Sequence, residues 1–514
     1  MHRCLDIHDI KNLIFDHLDF SELPQIATVC RGFTDAALDR LWRRQNDMGN
    51  LIQVMPPSLW MVVPGYSPPA IANEEEEEEE EEETDPTLVS KTIVFMRELE
   101  EGDWARFEYY SYRIHQLGVS PIEHGFPFTI ADDIIVTLAT YRPMRNLLPK
   151  LRYIRLDLEK YINTGKSIAL AQCLLGSTMK LVTLDIPSEL SEQVLLNLFC
   201  SFSRLCPNIE ELRLTWVDSQ PPSQHVEKLE KLVGSLKKLH VFNVVPAIPM
   251  PLSELGALPL RSLGTVKVSS ALDLFEFTTS TNRFVYLHEL VLEVEGWDSA
   301  AGILNMMWCP FTSLEIENIS LAPGRPHALA NFIKFLSRHP SSASLTHLTL
   351  HEPLEEPQPG GWFVPAVSQL FRPLFALTRL QYIQLRFRIL SDLDDAWLLD
   401  AANAWPYLES LSLSGLHAPS RLTLAGLVPL VKHCPHLHSL HTSFIAMPFE
   451  PALLAGSRNL NVSEISLPLS PLTDPMKVAR CLVLMFPRLE RVSDWTEYVT
   501  WKKVNEWLHE SSYE

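Results

Sequence analysis

The densest set of side chains able to do chemistry is His433, Cys434, His436, His438 and His441. Imidazoles and a thiolate are the ligands that zinc takes. The placement works against that use. Cys434 precedes Pro435 in a register that recurs along the chain and turns the thiol into a core. The histidines fall around a strand, where alternate side chains face opposite ways, and no second half of a ligand set accompanies them. His347 and His351 stand four apart, but their segment reads as a strand, on which that spacing spans about 13 Å. There is no G-x-x-x-x-G-K-[ST], no G-x-G-x-x-G after a strand, no G-x-S-x-G and no H-E-x-x-H. No catalytic residue, metal or cofactor is therefore expected, and the chain does not read as an enzyme. Most of the twelve tryptophans read as packing residues.

The composition points the same way. The 514 residues carry a formal net charge of −20, and the ten glutamates Glu74 to Glu83 supply half of it. An acidic chain without a basic stripe repels phosphate backbones, which excludes direct nucleic-acid binding. No stretch is apolar for the 18 or so residues of a membrane span, and the N-terminus lacks a signal-peptide core. The eight cysteines form no C-x-x-C pair. They read as small buried hydrophobes in a reducing compartment, cytoplasmic or nuclear.

The elements that would position any site follow from the spacing of apolar residues. Residues 1–50 read as a three-helix module. Ile7, Ile10, Leu13, Ile14 and Leu18 form one helical stripe. Ser21 reads as the cap of a second helix carrying Leu23, Ile26, Ala27 and Cys30. Phe33, Ala37, Leu38, Leu41 and Trp42 form the third. Residues 51–90 read as a linker, with prolines flanking the self-repelling run 74–83. Residues 91–120 read as a strand (92–95) and a helix (103–112) with Trp104, Phe107 and Tyr110 on its buried face.

Over 121–495 a triplet recurs: apolar, two residues, apolar, one residue, apolar. Leu181/Leu184/Ile186, Leu345/Leu348/Leu350 and Leu408/Leu411/Leu413 are instances. Because the chain is 46% hydrophobic, the triplet alone decides little. A proline in fixed register before it adds weight, in Cys206-Pro207, Trp405-Pro406, Cys434-Pro435 and Phe486-Pro487. Proline ends a helix and starts an extended segment. An amphipathic helical segment precedes several of these prolines, so strand and helix alternate once per unit, as a solenoid requires. The fold class is α/β: a three-helix module followed by an irregular leucine-rich-repeat-like solenoid. Residues 496–514, with Tyr498, Trp501, Val504 and Leu508 on one face, read as a helix capping its end.

Residues 5–42 resemble the F-box motif. The resemblance rests on Ile7-His8-Asp9-Ile10-x-x-Leu13-Ile14-Phe15-x-x-Leu18, on Val29-Cys30-Arg31-x-Phe33 and on the closing Leu41-Trp42. His8 stands where the family usually has proline. The segment Asp103-Trp104-Ala105-Arg106-Phe107-Glu108-Tyr109-Tyr110 is similar to a helix that follows the box in a group of fungal F-box proteins. The repeats depart from the common leucine-rich pattern. Val217, Ile319 and Leu416 stand where Asn or Cys usually bonds the neighbouring backbone.

The resemblance implies a substrate-recognition subunit of a Skp–cullin–F-box (SCF) ubiquitin ligase, with the box on a Skp-family adaptor, through it a cullin, and a protein substrate on the repeats. The adaptor-binding residues it implies are Ile7, Ile10, Ile14, Leu18, Leu23, Cys30, Phe33, Leu38 and Trp42. Their apolar types suit a partner groove and a module core equally. The alternative is an interaction scaffold that transfers no ubiquitin, and it shares every sequence feature. No residue type identifies the substrate surface. Arg152 with Arg155, and Arg386 with Arg388, are the basic pairs on strands suited to a phosphate.

Overall fold

The computed structural model describes residues 8–64, 91–118, 128–142, 146–158, 172–187, 190–217, 223–249, 255–268, 284–307, 309–319, 326–352, 367–415, 421–467, 470–493 and 499–511. Ile7, the glutamate run, Leu416 and Tyr498 lie outside them. The chain divides into two compact units, Met1–Leu239 and His240–Glu514.

The first unit opens with α1 (His8–Asp16), α2 (Leu23–Val29) and α3 (Arg31–Trp42). Phe15, Leu23, Ala36 and Ala37 are the buried core of the three, with Leu18, Phe20, Ile26, Ala27, Phe33 and Leu41 packed around it. Alanine at 36 and 37 lets the helices approach closely, and Phe15 meets Phe33 edge-on at 5.7 Å. Ser21 does not cap α2. Glu22 holds the N-cap position, and its carboxylate accepts from the Asp19 N–H at 3.2 Å.

Residues 51–64 are not the linker that the sequence suggested. A short helix α4 (Gly49–Gln53) buries Leu51 and Ile52, and Met55 and Leu59 follow them into the interior. Strand β2 (Trp60–Pro64) pairs antiparallel with β3 (Lys91–Phe95). These apolar residues had somewhere to go, and the prolines at 56 and 57 only fix the turn between helix and strand.

A parallel sheet in this unit runs β1 (Arg44–Gln45), β4 (Gln116–Leu117), β6 (Tyr153–Asp157), β7 (Leu181–Pro187) and β8 (Glu211–Val217). The sheet therefore begins at residue 44, well before the boundary at 121. A separate sheet joins β2 and β3 to β5 (Phe128–Ile130). Helix α5 (Trp104–Ser111) buries Trp104 and Phe107, while Tyr110 is half-buried.

The second unit stacks parallel strands in chain order: β9 (Val241–Pro249), β10 (Ser262–Val268), β11 (Glu289–Val294), β12 (Ser313–Asn318), β13 (His347–His351), β14 (Tyr382–Arg386), β15 (Ser410–Ser414), β16 (Ser439–Thr442), β17 (Glu464–Ser466) and β18 (Arg491–Ser493). Register follows the triplet: Leu348 faces Ile383, which faces Leu411, which faces Leu440. Each triplet puts its leucines on the side covered by helices, so every strand buries alternate residues. The prolines act as the sequence implied. Cys206, Trp405, Cys434 and Phe486 each end a helix one residue before proline, and all four are fully buried.

Isolated buried polar side chains serve where the usual asparagine ladder is absent. Asn459 donates to the Leu437 carbonyl at 2.9 Å and accepts from the N–H groups of Asn461 (2.8 Å) and Val462 (3.2 Å). Ser341 accepts from the Phe311 N–H and donates to the Cys309 carbonyl, both at 3.0 Å. The final helix, Val499–Ser511, buries Trp501, Val504 and Leu508. Its Asn505 donates to the Val492 carbonyl and accepts from the Val492 N–H, both at 2.8 Å. A side chain thus completes the edge of β18, which a further strand would otherwise pair.

Candidate partner-docking surface

The three-helix module is pinned before it meets any partner. Lys11 donates to the Gly32 carbonyl at 3.0 Å, tying α1 to the start of α3. Arg40 on α3 pairs with Asp16 at the end of α1 at 3.2 Å. Arg113 follows α5, donates to Asp35 at 2.7 Å, pairs with Asp39 and lies 4.7 Å over the Tyr109 ring. Trp42 stacks on Tyr110 at 4.4 Å. A guanidinium with two carboxylates, flanked by an aromatic stack, fixes α3 against α5. Burial weakens the hydration of Arg113, yet its two carboxylates hold its pKa above the ordinary value.

Three large apolar side chains of the module are exposed. Leu13 is 62% exposed, Ile14 41% and Val29 68%. The nine residues expected to meet an adaptor therefore separate. Ile14 is exposed, and Ile10, Cys30 and Leu38 are half-buried and keep accessible area. Leu18 and Phe33 are half-buried against the core, and Trp42 is engaged by Tyr110. Leu23 is fully buried. It holds the helices together and has no area left for a partner. Ile7 is outside the described residues. Leu13 and Val29 are exposed apolar residues outside the nine. Leu13 and Ile14 are adjacent on α1 and point about 100° apart, and the core-facing position beside them is taken by Phe15.

Away from the module, the histidine-rich segment spreads rather than gathers. Cys434 is fully buried, its Sγ 3.5 Å from the Trp405 carbonyl. Burial pushes its thiol up to about 12, which opposes the thiolate a metal needs. His433, His436 and His438 are exposed, and burial lowers the pKa of His441. Among the described residues no three His, Cys, Asp or Glu side chains are grouped as a metal site. His347 is exposed and stacks on Tyr382 at 4.4 Å. Of the basic pairs, Arg155 is bound to Asp185 at 2.8 Å. Arg386 is exposed, and the Arg388 side chain lies outside the description. Seven cysteines of the described residues are free thiols, and no described helix is long and apolar enough to cross a membrane.

Comparison with known proteins matches residues 8–47 to the F-box-like family. No curated protein sequence matches the chain. Among solved structures, the chain is similar to the leucine-rich repeat-containing protein LegL7 from Legionella pneumophila. The match has 13% identity and a TM-score of 0.29, and covers 73% of this chain and 93% of that one.

Proposed function

We propose that this chain is the substrate-recognition subunit of an SCF-type ubiquitin ligase, acting in the cytosol or nucleus. Its F-box-like module binds a Skp-family adaptor, and its repeats hold a protein substrate. The observation that carries the reading is the F-box-like match over residues 8–47, on a module whose Leu13, Ile14 and Val29 stand exposed beside a complete core. Small helical modules gain stability by burying such a face on a partner. The chain makes no bond itself. It raises the effective concentration of substrate lysines near a ubiquitin-loaded enzyme, while the thioester chemistry belongs to other subunits.

The test is co-purification of the full chain with a Skp-family adaptor, for the wild type and for a Leu13→Asp, Ile14→Asp variant. Both side chains are exposed, so the variant should keep its fold by circular dichroism. Carboxylates forced into an apolar interface should abolish binding. An adaptor that fails to bind the wild type, or binds the variant equally, overturns the reading. Accumulation of a specific protein on loss of this chain separates the receptor from the scaffold.

A further inference from the structure

The strand-entrance edge of the first unit is cationic in a chain of net charge −20. Just before or at the start of successive strands stand Arg43, His115, Arg152 and Lys180. Their backbones form one ladder: His115 N–H to the Arg43 carbonyl at 2.9 Å, Arg152 N–H to His115 at 2.9 Å, Lys180 N–H to Arg152 at 2.8 Å. With strands about 4.8 Å apart, Arg43 and Arg152 are separated by roughly 10 Å of backbone. Two cavities open along this edge. One, of about 320 Å³, is lined by Arg43, His115 and Lys150 together with the Arg40–Asp16 and Arg113–Asp39 pairs. The other, of about 430 Å³, is lined by Arg152, Lys180, Glu210 and Lys238, with Ser177, Thr178 and Asn208 as neutral hydrogen-bonding groups.

Ion pairs already answer part of this charge. Arg40 has Asp16, Arg113 has Asp35 and Asp39, and Lys180 has Glu210 at 2.7 Å. Lys238 is held at 2.8 Å by Asn208, whose own amide donates to the Ser177 carbonyl. Arg43, Lys150 and Arg152 remain. None of the three has a carboxylate within ion-pair distance among the described residues. His115 between them reports the result. Its pKa is lowered by burial first and then by Arg152, Arg43 and Lys150, against one opposing carboxylate, Asp39. Like charges that outnumber the carboxylates across a concave edge are stabilised by a bound anion.

We infer that this edge binds a small anion carrying more than one phosphate, held between Arg43, Lys150 and Arg152. Three cations spread over about 10 Å exceed what one phosphate can span. The concavities have the size of small-molecule sites rather than of a protein groove. The Ser177 hydroxyl lines the second cavity as a further donor. The site is independent of adaptor binding, so it stands or falls separately from the proposed function.

The experiment is isothermal titration of sodium tripolyphosphate into the full chain. Wild type, Arg152→Gln, Lys150→Gln and a control, Lys231→Gln, are compared. Lys231 lies on the helix Ser223–Ser235, paired with Glu227, and lines neither cavity, so the control removes the same charge outside the two cavities. Melting curves confirm that each variant is folded. The expected result is saturable binding, weakened at least tenfold in each edge variant, unchanged in the control and falling with added salt. Absence of saturable binding overturns the inference, and so does a control that weakens as much as the edge variants. Tighter binding of a phosphoserine peptide, or binding to phosphoinositide vesicles without any response to tripolyphosphate, assigns the edge to a macromolecule and also overturns it.

Discussion

Asp103 offers the sharpest test of how the segment after the module is held. Three donors converge on its carboxylate: Arg97 Nη1 and Nη2 at 2.7 Å each, and the Glu100 N–H at 2.9 Å. The side chain is 5% exposed. In Asp103→Asn one acceptor oxygen becomes an amide NH2 group, and either orientation of the amide aims that NH2 at a donor. At least one charge-assisted bond is lost, worth about 1.5–3 kcal/mol, reduced because the Arg97 side chain stays partly in water. The expected loss is about 2 kcal/mol, read locally as faster hydrogen exchange in α5 and globally as a lower denaturant midpoint.

The pH dependence supplies a second reading of the same variant. The side-chain hydrogen bond from Arg97 holds the Asp103 pKa below its ordinary value of 3.8. A lowered folded-state pKa contributes stability that is complete above the unfolded value and lost as pH falls through the folded one. Asn does not titrate, so the gap between wild type and variant should be full near pH 6 and close below pH 3.8. A loss under about 0.5 kcal/mol, or a gap that persists unchanged into acid, refutes the account.

Three further outcomes follow from single contacts. Arg113→Met should loosen α3 from α5, seen as lost exchange protection at the C-terminal turn of α3 while the repeats of the second unit keep theirs, because Asp35, Asp39 and Tyr109 lose their shared cation. Asn459→Ala should cost about 2–4 kcal/mol, since it leaves a buried carbonyl and two N–H groups without their partner; a midpoint unchanged in urea refutes the role. Asn505→Ala should expose the edge of β18, accelerating exchange of the Val492 amide by at least tenfold, whereas burial of Trp501 and Val504 should keep the last helix in place.

The repeats were legible because a strand's period of two leaves a mark in sequence. Leu345, Leu348 and Leu350 are fully buried where the triplet put them, and the residue before each registered proline ends a helix. The sheet's first strands were not legible. Arg44–Gln45 and Gln116–Leu117 are two residues long, too short for any periodicity to show. The order of residues 51–64 was hidden as well, because its cause is long-range. Strand β2 exists through pairing with β3, beyond a run of glutamates that dominates any local reading. Asn459 and Asn505 are polar residues whose backbone partners lie 22 and 13 residues away, a distance at which sequence alone gives no pairing rule.

Apolar type could not separate buried from exposed positions in α1–α3, and the structure does. A nine-residue helix has room for one inward stripe, and Phe15 occupies it with Leu18 beside it. Leu13 and Ile14 then have nowhere inward to point, and Val29 at the end of α2 is in the same position. Leu13, Ile14 and Val29 lie outside a module core that Phe15, Leu23, Ala36 and Ala37 form among themselves. Had Leu13 and Ile14 served the internal packing of the module, Leu13→Asp and Ile14→Asp would unfold it. Because they lie outside that packing, the same changes should leave the helices intact, and on the proposed function they remove adaptor binding. Substitution at Leu13, Ile14 or Val29 therefore tests the proposed docking without touching the core, whereas Leu23→Asp would destroy the core first.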